Sequence, residues 1–175
     1  MEEIYIKKIE DIKKNKAEIE KKLNVKLTIA GNKILYESNS FDEYEASLVF
    51  EAISFGFSVK IALNLKIEDN VFKVIHIKDY TKRKLRDVKS RLIGAEGKTR
   101  RIISNISNCH ILINESDVGI IGYVKEVENA STAITNLIKG SKQANMYRYL
   151  ERMNRIKKEE GFNMSRIVFF VSSLL

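Results

Sequence analysis

One helix-like stretch broken by two glycines constrains this chain more than any other feature. The run is Arg91-Leu92-Ile93-Gly94-Ala95-Glu96-Gly97-Lys98-Thr99-Arg100-Arg101-Ile102-Ile103. Glycine lets a chain turn sharply and lets another backbone come close, because no Cβ stands in the way. After Gly97, Ile102, Ile103 and Ile106 recur at helical spacing with no breaker before Asn108, which predicts a helix over 98–107. A glycine turn that opens a helix presents unpaired N–H groups and a partial positive charge to any anion nearby. Lys98, Arg100 and Arg101 add full positive charges at the end where the macrodipole favours acids. That unfavourable placement points to a phosphate as the group being held.

The rest of the chain reads as two cycles of elements. In the first, Ile4-Tyr5-Ile6 begins a strand, and Ile9, Ile12, Ile19 and Leu23 mark helical turns. Val25 to Ile29 alternates and pairs across Ala30-Gly31-Asn32 with Lys33 to Tyr36, and Phe41 to Ile53 recurs at helical spacing up to Gly56. A short connecting helix follows over 58–65. In the second cycle, Val71 to Ile77 is a strand, with Val71, Lys73, Ile75 and Ile77 on one face and Phe72, Val74 and His76 on the other. A helix over 83–92, the glycine turn, the helix over 98–107, strands at His110 to Ile113 and Val118 to Ile121, and a closing helix ending near Gly140 complete it. Both halves are thus expected to run β-α-α-β-β-α, an α+β duplication with separate small cores. The domains are expected at 1–70 and 71–160, the second ending in a helix over 142–160, with a tail over 161–175 whose structure the sequence leaves open.

Charge divides the halves. Residues 1–70 hold 11 lysines, no arginine and 13 acids, net −2, whereas residues 71–175 hold 20 basic residues and 10 acids, net +10. All nine arginines lie in the second half, where guanidinium groups can fork onto phosphate or stack on bases. This marks that half as the polyanion binder. Cys109 is the only cysteine, so no intramolecular disulfide is possible and a reducing, cytoplasmic setting is expected. Cys109 and His110 read as packed strand residues and not as metal ligands. No secretory signal is evident after Met1-Glu2-Glu3, and the apolar run 167–175 is about half the ~20 residues of a membrane span.

Two motifs compete for the glycine turn. Gly97-Lys98-Thr99 invites a P-loop reading, but that motif needs a glycine where Leu92 stands, and a strand before it. The alternative is the G-x-x-G loop of a KH domain, which joins two helices and clamps about four backbone nucleotides. Residues 71–160 resemble the second KH domain of the two-KH proteins of small-ribosomal-subunit assembly: the archaeal universal KH protein and the eukaryotic Pno/Dim and Krr types. The resemblance rests on Arg91 to Arg101, on Val118-Gly119-Ile120-Ile121-Gly122, on Leu137-Ile138-Lys139-Gly140 and on Tyr147-Arg148-Tyr149-Leu150-Glu151-Arg152. The first half resembles the family's first KH domain in order of elements, but Lys13-Lys14-Asn15-Lys16 stands where the glycine loop would fall.

The resemblance implies two tandem type I KH domains and single-stranded RNA binding by Arg91, Leu92, Ile93, Gly94, Ala95, Glu96, Gly97, Lys98, Thr99, Arg100 and Arg101. It further implies a role near the 3′ end of small-subunit ribosomal RNA. The partners it implies are the processing endonuclease, pre-ribosomal proteins and the alpha subunit of initiation factor two. Leu92, Ile93, Ile102, Ile103, Ile111 and Ile113 are available for the groove floor or for the core beneath it. Arg83, Arg86 and Arg91, and Arg148, Arg152 and Arg155 on the terminal helix, are either solvated faces or further phosphate contacts. No enzyme, cofactor or metal is expected: Asp79, Asp87, Glu96, Glu115 and Asp117 form no pairing that spacing justifies. A regulatory module binding messenger RNA or single-stranded DNA is the alternative of the same fold.

Overall fold

Strand alternation and helical spacing order the second half around one antiparallel sheet. The structure, a computed structural model, describes residues 2–6, 9–37 and 40–172. Here β4 (Asn70–His76), β5 (His110–Ile113) and β6 (Asp117–Tyr123) pair in the order β4-β6-β5, which leaves β5 at an edge. Between β4 and β5 lie α4 (Leu85–Ile93), a short turn, and α5 (Lys98–Ser107); α6 (Val124–Lys139) follows β6. One sheet face carries Ile75, Ile111, Val118 and Ile120 into a core with Val88, Leu92 and Ile103 from the loop-flanking helices and Val127, Ile134 and Leu137 from α6. This is the β-α-α-β-β-α order expected.

The first half departs from that order. β1 (Glu2–Tyr5), β2 (Lys26–Ala30) and β3 (Lys33–Glu37) form a sheet in the matching order β1-β3-β2, and α2 (Ser40–Phe55) covers it. Between β1 and β2, however, there is a single helix, α1 (Ile9–Leu23). Lys13 to Lys16 is not a degenerate loop but the middle of that helix. Lysine and glutamate are good helix formers, and Ile12 and Ile19 are seven residues apart on one face, both fully buried. Nothing in the segment interrupts the hydrogen-bond ladder, so the half runs β-α-β-β-α.

The two cores are not separate. α2 continues through Gly56 into α3 (Val59–Ala62) and a 3₁₀ turn (Leu63–Lys66), and this connector lies against the outer face of the second sheet. Phe55, Phe57 and Phe72 form an aromatic trio with ring centroids 5.7–6.0 Å apart. Ile121 is fully buried in the first half's core, and Leu112 packs against it. Gly119 permits the contact: a Cβ there would stand 2.5 Å from the Phe55 ring. Asn114 reinforces it by donating from Nδ2 to the Phe55 carbonyl at 2.7 Å. The second sheet is therefore covered on both faces, which explains its run of buried residues 118–122.

The terminal helix is longer than expected. α7 spans Gln143–Ser172, so the 160/161 boundary falls within a helix, and most of the apolar run 167–175 is helical backbone up to Ser172. Met146 and Leu150 bury one face, while Arg148, Arg152 and Arg155 are exposed on another. The buried carboxylate of Glu126 on α6 accepts from Lys157 and Asn108, and Asn154 donates to the Ile106 carbonyl, which pins α7 across α5 and α6. No helix among the described residues is long and apolar enough to cross a membrane.

Candidate nucleic-acid interface

The glycine turn is built by two left-handed glycines with different duties. α4 ends at Gly94 (φ 72°, ψ 176°), whose N–H donates to the Ser90 carbonyl at 2.9 Å. A Cβ on Gly94 would lie 2.2 Å from Thr99 Oγ1, so this glycine is required by both space and dihedral. Gly97 (φ 75°) has nothing within 4 Å of its Cβ position. It is required by its dihedral and leaves open the ground over which a ligand backbone can approach. Between them, Ala95 and Glu96 are exposed, and Glu96 is itself left-handed at φ 50°.

The surroundings hold this turn in place. Thr99 is buried, and Gln143 at the start of α7 donates from Nε2 to Thr99 Oγ1 at 3.0 Å and to the Arg91 carbonyl at 3.1 Å. One amide thus ties the end of α4 to the start of α5. The Arg91 guanidinium donates to the Ser141 carbonyl at 2.7 Å, and that of Arg83 lies against Gly140, so both arginines brace the α6–α7 turn. Within the run expected to touch RNA, Leu92 and Thr99 correct the expectation: at 1% and 4% exposure they support the loop from beneath and offer no surface. Ile103 and Ile111 also belong to the core, while Ile93, Ile102 and Ile113 are half-buried and keep apolar surface accessible.

Charge at the loop is unpaired. Lys98 and Arg101 are exposed, Arg100 is half-buried, and none of the three makes an ion pair among the described residues. The first turn of α5 contains no acid. The Gly97 and Lys98 N–H groups donate to the Gly94 and Ala95 carbonyls, so the attraction of this end for an anion comes from the three side-chain charges and the helix dipole.

The facing wall is the open edge of β5. Asn114 N–H donates to the Asp117 carbonyl at 2.8 Å, which makes 114/117 a hydrogen-bonded pair. By the antiparallel alternation, Leu112 and His110 also pair with β6, so the N–H and C=O groups of Ile111 and Ile113 point away from the sheet. The cations of α5 and the free backbone groups of β5 thus face each other across a groove. At the end of α5, burial pushes the Cys109 thiol up to about 11, so it is a protonated packing group as expected. His110 is different: it is exposed, with Nε2 3.5 Å from Asn64 Nδ2 of the connector, and is not a packed residue. It lies opposite Ile121 on the sheet face turned to the first half, at the end of the edge strand β5.

A helix precedes the turn and both its glycines are left-handed, which is not the strand-to-helix crossing of a P-loop. A three-stranded sheet in the order β4-β6-β5, with a G-x-x-G turn between two helices that precede its edge strand, is the arrangement of a KH domain of type I. Residues 71–155 match the family described as eukaryotic type KH-domain (KH-domain type I).

Three known proteins extend the comparison beyond that domain. A KH domain-containing protein of Methanocaldococcus jannaschii is 33% identical over 157 residues, covering 85% of this chain and 69% of its own. The chain belongs to the family of that protein. A pre-rRNA-processing protein PNO1 from Candida albicans is 25% identical over 147 residues; this chain spans 53% of its length. Among solved structures, a chain of the a/eIF2alpha–aDim2p–rRNA complex from Pyrococcus horikoshii superposes with a TM-score of 0.76 at 31% identity, over 88% of this chain and 93% of that one.

Proposed function

We propose that the chain binds single-stranded RNA in the groove between α5 and β5, and that it serves in small-subunit pre-rRNA processing and assembly. The observation that carries this is the exposed Gly94–Gly97 turn opening onto three unpaired cations. Arg91, Ile93, Gly94, Ala95, Glu96, Gly97, Lys98, Arg100 and Arg101 are the residues assigned to it, with Leu92 and Thr99 beneath. The phosphates follow the turn and the first turn of α5, and the bases lie on Ile93, Ile102 and Ile113 with their edges toward the free groups of β5.

The finer role is read from relatives. The complex named above joins aDim2p to an initiation-factor alpha subunit and to rRNA, which supports both as partners here. The name of the Candida relative supports pre-rRNA processing. A place at the 3′ end of the small-subunit RNA, and contact with the processing endonuclease and pre-ribosomal proteins in the cytoplasm, belong to the same reading. So does the view that the first half is a second KH unit whose loop has closed into the single helix α1.

The test is fluorescence anisotropy with single-stranded and duplex RNA across a salt series. Each neutralised phosphate contributes roughly −0.7 to the slope of log K against log salt on single strands, so four to six contacts give about −3 to −4. Duplex binding as tight as single-strand binding, or a flat salt response, rejects the proposal.

A further inference from the structure

A second cluster of cations lies away from the groove, where the approach to α4 meets the α6–α7 turn. Residues 78–86 carry Lys78, Lys82, Arg83, Lys84 and Arg86 against one acid, Asp79. Residues 139–142 add Lys139 and Lys142 and no acid. All seven cations are exposed, and neither they nor Asp79 and the nearby Asp87 make an ion pair among the described residues. The fold brings the two segments together. Gly140 closes α6 at φ 116°, and a Cβ there would stand 2.8 Å from Arg83 Nη2. Lys139 Nζ lies over the Tyr80 ring, 5.6 Å from its centroid.

Cations crowded without carboxylate partners repel one another, and a polyanion relieves that repulsion. The surface between them narrows the choice. Tyr80 is the one exposed large apolar side chain here among the described residues, and Lys139 already stands over its ring. Single-stranded RNA draws much of its affinity from bases stacked on such rings. An RNA helix keeps its bases inside and presents phosphates and 2′-hydroxyls, so it needs charge and no stacking platform. An acidic protein segment also meets charge, but protein contacts depend on anchors buried in well-packed pockets. Position favours the RNA helix as well. The nine residues of α4, about 14 Å of helix, lead from this cluster to the glycine turn, so one RNA can reach both.

We propose that this surface binds the phosphate backbone of an RNA helix adjoining the clamped single strand. Lys82, Lys84 and Lys139 contact phosphates, with Lys78, Arg86 and Lys142 at the margins, and Arg83 holds the two segments together. The protein then recognises a junction, with an unpaired segment in the groove and a paired segment beside the start of α4. The inference rests on the RNA-binding reading above for its ligand. None of these residues belongs to the clamp, so the two surfaces can be tested separately.

The experiment uses the full chain and three probes: a short single strand, an RNA hairpin, and that strand joined to the hairpin at its 5′ or its 3′ end. With one of the two joints, the joined RNA should bind about tenfold tighter than the strand alone, and the hairpin alone should bind more weakly than the strand. Lys82→Gln, Lys84→Gln and Lys139→Gln together should erase that gain. They should also flatten the salt slope of the joined RNA by about 2 to 3, three contacts at roughly 0.7–0.9 each. All three lysines are exposed, so the affinity for the strand alone and the thermal melt should stay nearly unchanged. A joined RNA that gains nothing, or a gain that survives the triple substitution, overturns the surface and leaves the clamp standing. If the hairpin adds nothing while an oligoglutamate peptide binds the native chain and not the variant, the surface serves an acidic protein and the proposal is likewise overturned. If the strand alone does not bind but the hairpin does, and the variant loses it, the clamp falls and the surface stands. If no RNA binds, both fall.

Discussion

α1 and the α4–turn–α5 unit occupy corresponding places, each between the first two strands of a three-stranded sheet of matching order. One is a continuous helix of 15 residues with Lys13, Lys14 and Lys16 on its surface. The other is two helices of 9 and 10 residues joined through left-handed glycines. The basic residues differ less than the backbone does. In α1 the N–H groups beside the lysines are spent on the helix ladder, and Lys13 and Lys16 lean on Glu10 and Glu20. At α5 the Gly97 and Lys98 N–H groups close the turn itself, and the cations of the first helical turn are unpaired among the described residues. A break in a helix, and not a cluster of lysines, is what marks the proposed phosphate site.

The largest expected effect tests that break. Replacing Ala95 and Glu96 together with aspartate puts two compact charges where phosphate must pass. RNA affinity should fall by about a hundredfold or more, in keeping with the loss of a charge-assisted anchor. Both positions are exposed, so stability should move by no more than about 0.5 kcal/mol. Ala95→Asp should carry most of the loss, and Glu96→Asp little, because Glu96 already holds an acid there. Anisotropy beside a thermal melt reads both quantities.

Next, charge reversal sets the two regions against each other. Lys98, Arg100 and Arg101 changed to glutamate should cost at least about fiftyfold in affinity and flatten the salt slope by about 2, three contacts at roughly 0.7 each. The same reversal at Lys13, Lys14 and Lys16 should cost less than about threefold, the residual steering of distant charges. Equal losses would break the comparison.

A smaller effect sharpens it. Lys13→Gly with Lys16→Gly gives α1 the glycine spacing of the turn without its surroundings. Each substitution should cost about 1 kcal/mol of stability from helix propensity, and RNA affinity should not rise. Gly97→Ala, in open space, should be destabilising by about 1–2 kcal/mol through its left-handed dihedral. Denaturant titration measures both.

The smallest effect lies away from the groove. His76 Nδ1 is 2.6 Å from Asp117 Oδ1, and this hydrogen bond, with the carboxylate's charge, raises the imidazole pKa. Partial burial pushes the Asp117 pKa up, but the hydrogen bonds from His76 and Ser116 outweigh it and leave the pKa lowered. A raised histidine pKa stabilises the fold below its ordinary value and loses that stabilisation as pH rises through the folded one. A lowered aspartate pKa loses its share as pH falls through the folded one. The pair therefore contributes between the two titrations, and Tm should drop slightly from about pH 6 to about pH 9, a drop absent in His76→Gln.

The second half was legible because its apolar periods are uninterrupted and its breakers are glycines. The ends of α5 and β5 fall where Gly97, Asn108 and Ile113 put them. α1 was misread for a physical reason: four polar residues in a row look the same in a helix as in a loop, and only the seven-residue spacing of Ile12 and Ile19 distinguishes them. Leu92 and Thr99 belong to the right stretch but face inward, which depends on how α7 closes over the turn through Gln143. The contact of Phe55 and Phe57 with Gly119 joins residues far apart in the chain, and no local pattern announces it. For the same reason nothing local shows that Asp11 of α1, Ser58 of the connector and His110 of β5 line one cleft.

The most direct measurement is a titration of the isotope-labelled chain with a short single-stranded RNA, followed by backbone amide NMR shifts. A clamp at the glycine turn should move the amides of Gly94 to Arg101 and the free-edge amides of Ile111 and Ile113, and leave those of Lys13 to Lys16 in place. Shifts centred on 13–16, or a turn whose amides do not move at saturating RNA, would contradict the assignment of RNA binding to the broken helix.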